Sequence, residues 1–385
     1  MTSSLDTSDI DRYIGVPLGR SGAVEPIHVN DIRRWAQAMR HPNPLYYDAE
    51  YAAESRFGGI VAPQSFTVVC DAGHGARPAL QGKIPESHML FGGDEWWFFG
   101  PRIVAGDMVT VEQMAFDYRL TETRFAGPTI IQRGDNHYTN QRGEKIALQR
   151  SSAIRYRPAA ARGTGAYAGL EEETEWSDED LARLTKEKEA YIATIRGLGH
   201  GRRSWDEVNE GDELPAKVIG PHSVVSFTTE WRAYTMNAWN TMFREEYVPT
   251  EDRGFTAEMS VTGDVDLDPE FGDGAYYGAS RGHLFERYAR RIGMPRPYGY
   301  GASMGAWILD YLSSWAGEWG FVAHSKAQYR GPALSGDVTY LRGTVTGKEA
   351  SMVAGQGAVN IAYVMTNQKD DVLSKGTAEV LLPRD

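Results

Sequence analysis

Two hydrophobic periods are visible along the chain. Over residues 303–315, Met304, Trp307, Ile308, Tyr311, Leu312 and Trp315 fall at i, i+3, i+4, i+7, i+8 and i+11, which predicts a helix with one broad apolar face. Elsewhere the period is two. Residues 108–114 and 338–345 alternate apolar with polar positions, and a Gly-Asp pair, Gly106-Asp107 or Gly336-Asp337, turns the chain into each run. Strand-like residues reappear near 215–228. Each half therefore reads as a short helix, a long apolar helix and then several antiparallel strands, an α+β arrangement in which a curved sheet wraps its helix.

The halves repeat. Gly100-Pro101 before the first Gly-Asp pair recurs as Gly331-Pro332 before the second. Tyr138-Thr139-Asn140-Gln141 recurs as Met365-Thr366-Asn367-Gln368, each between strand-like runs and so read as a hairpin turn. Tyr51-Ala52 and Tyr288-Ala289 each close a short helical segment. Asp107 to Asp337 is 230 positions, Asn140 to Asn367 is 227, and Tyr51 to Tyr288 is 237, so three landmarks recur in order at nearly constant spacing. Two copies of one unit, pairing their sheets edge to edge, are expected: residues 1–158 and 201–385, joined by a charged linker at 159–200 whose residues 178–196 form a solvated helix.

Composition narrows the function. With 40 basic and 52 acidic residues the net charge is −12, which argues against nucleic acid as a partner. The single cysteine, Cys70, excludes an internal disulfide, and the first residues show no secretion signal, so a reducing cytoplasm is expected. No run of about 18 apolar residues suggests a membrane span. The histidines lack metal-ligand spacing, no phosphate-cradling glycine loop is present, and Gly-x-Ser-x-Gly is missing. The cluster Trp96-Trp97-Phe98-Phe99 is read as core.

Residues 40–52 carry Asn43, Pro44, Asp48, Tyr51 and Ala52 in the order Asn-Pro-x-x-x-Asp-x-x-Tyr-Ala. In this the chain resembles the MaoC-like acyl-thioester hydratases and dehydratases, whose hotdog halves carry Gly-Asp-x-Asn-Pro-(aliphatic)-His-x-Asp-x-x-(Tyr/Phe)-Ala. The resemblance covers nearly the whole chain outside the linker and an insertion around 240–275. It implies tandem hotdog domains, an acyl coenzyme A substrate, no cofactor beyond that coenzyme, and assembly with itself or with another hotdog subunit. In the first half the motif's acid and histidine positions hold His41 and Tyr46, and Pro63 stands where the family offers a free backbone N–H, so this half resembles the acyl-cradling type.

In the second half His283 keeps the motif spacing to Tyr288-Ala289, while Gly278 takes the place of the acid and Ser280 that of the asparagine. Pro297-Tyr298-Gly299-Tyr300-Gly301 opens the long helix, and the resemblance makes the Gly301 N–H the donor to the thioester oxygen. His283 is the expected acid/base, with Ser280 beside it. The missing carboxylate is sought in the insertion, where Asp273 is nearest in sequence and Asp264, Asp266 and Asp268 lie farther off; alternatively the first half works with His41 and Tyr46 as a rearranged acid and base pair. His41, Asn43, Tyr46, Tyr298 and Tyr300 are the expected substrate contacts. Hydratase or dehydratase is the first reading. A non-catalytic acyl-binding subunit of a hetero-oligomeric hydratase and an acyl-CoA thioesterase stay open.

Overall fold

The computed structural model describes residues 5–22, 25–71, 75–235 and 281–384. Among them the strands are β1 (Pro17–Gly22), β2 (His88–Phe98), β3 (Val109–Thr123), β4 (Gly127–Asn140), β5 (Lys145–Tyr156), β6 (Lys217–Ile219), β7 (Phe321–Tyr329), β8 (Thr339–Ala350), β9 (Gln356–Asn367) and β10 (Val372–Pro383). The α-helices are α1 (Val29–Ala38), α2 (Ala49–Glu54), α3 (Pro158–Thr164), α4 (Asp178–Gly197), α5 (Val224–Thr235), α6 (Glu286–Arg291) and α7 (Gly301–Ala316). No helix among the described residues is long and apolar enough to cross a membrane.

All ten strands join one antiparallel sheet in the order β1-β3-β4-β5-β2-β7-β10-β9-β8-β6. Read outward from the β2–β7 seam, both sides run in the same order, so the sequence repeat is a structural repeat, and the two copies meet edge to edge at Glu95↔Lys326, Trp96↔Ser325 and Trp97↔His324. Joining the two sheets at this seam leaves neither central edge unpaired.

The repeat extends to individual hydrogen bonds. Gly106 and Gly336 both have positive φ, the conformation that glycine adopts at no steric cost. Asn140 accepts from the N–H groups of Arg142 and Glu144, and Asn367 accepts from those of Lys369 and Asp371, so each asparagine closes its hairpin. Gln141 and Gln368 then reach back to Asp107 and Asp337 and accept from the N–H of Met108 and Val338. Two turns distant in sequence are thereby tied together in each half.

Helix α7 contains the predicted 303–315 helix and starts two residues earlier. Ala302 through Ala316 are all buried, as befits a helix that is apolar nearly all round. The first half departs from expectation: where a matching long helix was predicted, a 3-10 segment, Gln64–Cys70, runs fully buried instead. Thr67, Val68 and Val69 are β-branched and disfavour an α-helix, and the Asp71 carboxylate accepts the Gly75 N–H just beyond. Gln64 docks this segment on the other half by exchanging two 2.9 Å hydrogen bonds with the backbone of Val322.

Two other expectations need amendment. Of residues 215–228, only Lys217–Ile219 is a strand, while Val224 onward is helical; Phe227 and Trp231, four apart, bury one face of α5, and this packing overrides the local β propensity of Val224-Val225. Helix α4 is mostly exposed, as its charges foretold, yet Leu184, Tyr191 and Ile195 are buried, and Arg196 donates to the Pro42 carbonyl and the Tyr47 hydroxyl. Trp96 and Phe98 lie in the core with Trp97 and Phe99 on the opposite face.

Candidate active site

His283 closes the 3-10 turn Arg281–His283 ahead of α6. Its Nδ1 donates to the Tyr298 carbonyl over 2.7 Å, and its ring stacks on Tyr300 at 3.9 Å between centroids. That bond places the ring proton on Nδ1 and leaves Nε2 as the basic nitrogen. Burial pulls the imidazole down to about 4, so it is neutral at physiological pH.

Tyr300 is the N-cap residue of α7 and Gly301 its first residue. The opening N–H groups of a helix have no intrahelical acceptor and carry the positive end of its dipole. A Cβ on Gly301 would stand 2.4 Å from the Cβ of Phe91 on β2, so only glycine lets the helix start lie against that strand. His283, Tyr298, Tyr300 and Gly301 line one cavity of about 850 Å³, together with parts of β2, β3, β4, β5 and β7. This size suits an organic ligand.

Asp94 on β2 lines the same cavity and is 4% exposed. Gln149 donates to its Oδ1 over 3.2 Å and the Tyr329 hydroxyl lies 3.5 Å from its Oδ2. Burial lifts its carboxyl to about 7. Sequence reading missed this residue although a signal existed: Asp94 has the strand parity of Trp96 and Phe98, which marks a carboxylate on the buried face.

Ser280 and Asp273 lie outside the described residues, as do Gly278, Asp264, Asp266 and Asp268. Among the described residues no carboxylate forms an ion pair with His283, and no group of His, Cys, Asp and Glu is arranged to hold a metal ion.

A family model for the FAS1-like, dehydratase domain region matches residues 12–149. The chain is 27% identical over 168 residues to a Thermomonospora curvata protein named a probable enoyl-CoA hydratase alpha subunit, a match that takes in 40% of this chain and 52% of that relative, about half its length. It is 32% identical over 109 residues to a UPF0336 protein of Thermobifida fusca, covering 26% of this chain and 70% of that one. A solved structure described as a MaoC-like dehydratase superposes with a TM-score of 0.61 at 18% identity, over 98% of this chain and 100% of the other. The chain has the fold of that MaoC-like dehydratase, and its first half matches the FAS1-like dehydratase region.

The first-half copy of the MaoC-like motif builds a separate site. Asp48 caps α2 through the N–H groups of Glu50 and Tyr51, whereas Phe285 at the same place before α6 caps nothing with its side chain. Asn43 accepts from the Leu45 N–H within its turn, and Tyr46 lies edge-on to His41 with its hydroxyl against Arg102. His41 and Tyr46 are almost wholly buried, and none of the three lines the cavity of His283. The sequence grouped five substrate contacts; the fold brings Tyr298 and Tyr300 to His283 and keeps His41, Asn43 and Tyr46 apart. The His41 cluster gains Asp310 from α7 of the other half and the buried amine of Lys217, which burial draws down to about 8. Asp310 too had a signal, being a charge inside an otherwise apolar helix.

Proposed function

We propose that this MaoC-like protein hydrates an α,β-unsaturated acyl coenzyme A thioester, or dehydrates the 3-hydroxyacyl counterpart, with a bulky or aromatic acyl group. The observation that carries this reading is the joint presence of the His283 imidazole and the Gly301 start of α7 on one cavity of about 850 Å³. Adding water to such a thioester requires a base for the water, a proton for the α-carbon and a donor to the oxygen that becomes enolate-like. His283 Nε2 is the base, and the N–H groups at Gly301 meet the oxygen.

The walls are consistent with the substrate. Met89, Phe91, Phe125, Trp231 and Met294 offer an apolar surface, and Arg119, Arg124 and Arg330 are exposed cations at the rim for the phosphates of the coenzyme. The first half thus serves as the acyl wall through its strands rather than through His41, Asn43 or Tyr46.

The test is turnover of two trans-2-enoyl-CoA thioesters, one alkyl and one aryl, by the purified chain, followed by loss of the conjugated absorbance. Wild type is expected to hydrate at least one of them, and His283→Ala to lose on the order of 10²–10⁴ in kcat. Unchanged turnover in His283→Ala removes this histidine from the mechanism. Release of free thiol identifies a thioesterase. The name of the T. curvata relative favours a second reading, a subunit that binds the acyl group for a catalytic partner; silence of the chain alone, ended by a co-purified hotdog subunit, would establish it.

A further inference from the structure

Gly301 and Gly305 stand four residues apart on one face of α7, and β2 fills the groove they leave. Phe91 occupies it at Gly301. At Gly305 a Cβ would lie 2.5 Å from Asp94 Oδ2 and 2.8 Å from the Tyr329 hydroxyl, so this carboxyl lies beside Gly305, about one helical turn or about 6 Å along the axis from Gly301. Asp94 thus lines the same cavity as His283 and the Gly301 helix start that would meet a thioester oxygen.

The carboxyl is aimed from behind. Tyr138 and Asn136 donate to Gln149 Oε1, which turns the amide nitrogen of Gln149 toward Asp94 Oδ1. The ionisable groups that face it are the phenols of Tyr329 on β7, Tyr138 on β4 and Tyr363 on β9, and no charged side chain pairs with it among the described residues. Its neighbour Glu95 instead pairs with His324 and Lys326 on β7.

We propose that Asp94 is the proton donor that the MaoC-like motif of the second half lacks, working opposite His283. The assignment rests on the hydratase reading. In hydration His283 Nε2 takes a proton from water, whose oxygen bonds to the β-carbon. The C=C pair shifts onto the thioester oxygen at Gly301 and returns as the α-carbon takes the Asp94 proton. The proton on the imidazole then passes to the Asp94 carboxylate, so one H₂O is consumed and both groups are restored. Dehydration is the same path reversed. With burial holding the carboxyl near 7 and the imidazole near 4, the shared proton rests on Asp94 before substrate arrives.

The experiment compares wild type, Asp94→Asn and His283→Ala on the same enoyl-CoA thioesters, with calorimetric binding of the saturated acyl-CoA as a check on the pocket. The expected result is a loss on the order of 10²–10⁴ in kcat for Asp94→Asn with binding within a few-fold of wild type. Wild-type kcat falls about tenfold per pH unit above about pH 7, and the residual activity of Asp94→Asn lacks that limb. Turnover within tenfold of wild type in Asp94→Asn, with His283→Ala inactive, overturns the assignment of Asp94 and leaves the reaction standing. A flat wild-type profile above pH 7 overturns it equally, even if the variant fails to fold. No turnover of any enoyl thioester by wild type overturns the reaction, and Asp94 with it.

Discussion

Asp310 Oδ1 lies 3.6 Å from His41 Nε2, and neither side chain has any solvent exposure. The two residues come from opposite halves. His41 Nδ1 accepts the Asn43 N–H, so the neutral ring carries its proton on Nε2, toward Asp310. Burial lifts the Asp310 carboxyl to about 6 from an ordinary 3.8. Between about pH 4 and 6 the unfolded chain is ionised here while the folded protein still holds its proton, so raising the pH through that window withdraws stability. Asp310→Asn should remove this loss, and its stability relative to wild type should rise by about 3 kcal/mol between about pH 4 and 7 in urea unfolding. A difference independent of pH would show that Asp310 titrates as it does in the unfolded chain.

His222 predicts the opposite slope. It stacks on Trp307 at 5.2 Å and bonds Thr339 through Nε2, and burial draws it down to about 3. As pH falls below about 6.5 the unfolded chain takes up a proton that the folded protein refuses, so stability declines with acidification. His222→Gln should gain on wild type by about 3 kcal/mol between about pH 6.5 and 4.5. Parallel curves for the two proteins would exclude this residue as an acid-sensitive group.

Gly301→Ala should fail for a reason confined to one contact. The added Cβ would meet Phe91 Cβ, which belongs to a strand and cannot swing away. A cost of about 1–3 kcal/mol is expected, together with loss of turnover from the displaced helix start. Phe91→Ala should not relieve it, because it retains the conflicting atom, whereas Phe91→Gly in the same chain should. Thermal unfolding of the single and double variants decides between them, and equal rescue by both would place the conflict elsewhere.

The repeated Gly-Asp turns should not be equally sensitive. Asp337 pairs at 2.9 Å with Arg296, and both side chains are almost wholly buried; Asp107 pairs with Arg142, which is 47% exposed. Asp337→Asn strands a buried guanidinium and should cost about 3–5 kcal/mol. Asp107→Asn should cost about 1 kcal/mol, since Arg142 can return to water. Equal shifts in the urea midpoint would contradict this ranking.

Much of the fold was legible because its signals are local. Gly106 and Gly336 mark turns that need positive φ, Asn140 and Asn367 close hairpins with their own side chains, and α7 declares itself by a 3.6-residue period. Packing overrode local propensity where Val224-Val225 became helical beneath Phe227 and Trp231, whereas at residues 64–70 the β-branched run kept a buried segment from forming an α-helix.

The sequence by itself determined the doubling, because three local landmarks recur about 230 positions on, and the histidine at motif spacing and the glycine at the helix start, because each depends on neighbours a few positions away. Only tertiary structure decided which carboxyls meet which site. Asp94 and Tyr329 are 235 residues apart, and His41 and Asp310 are brought together from separate halves. Those encounters follow from joining β2 to β7 and laying α7 across the seam, and the resulting burial sets the proton affinities of these groups.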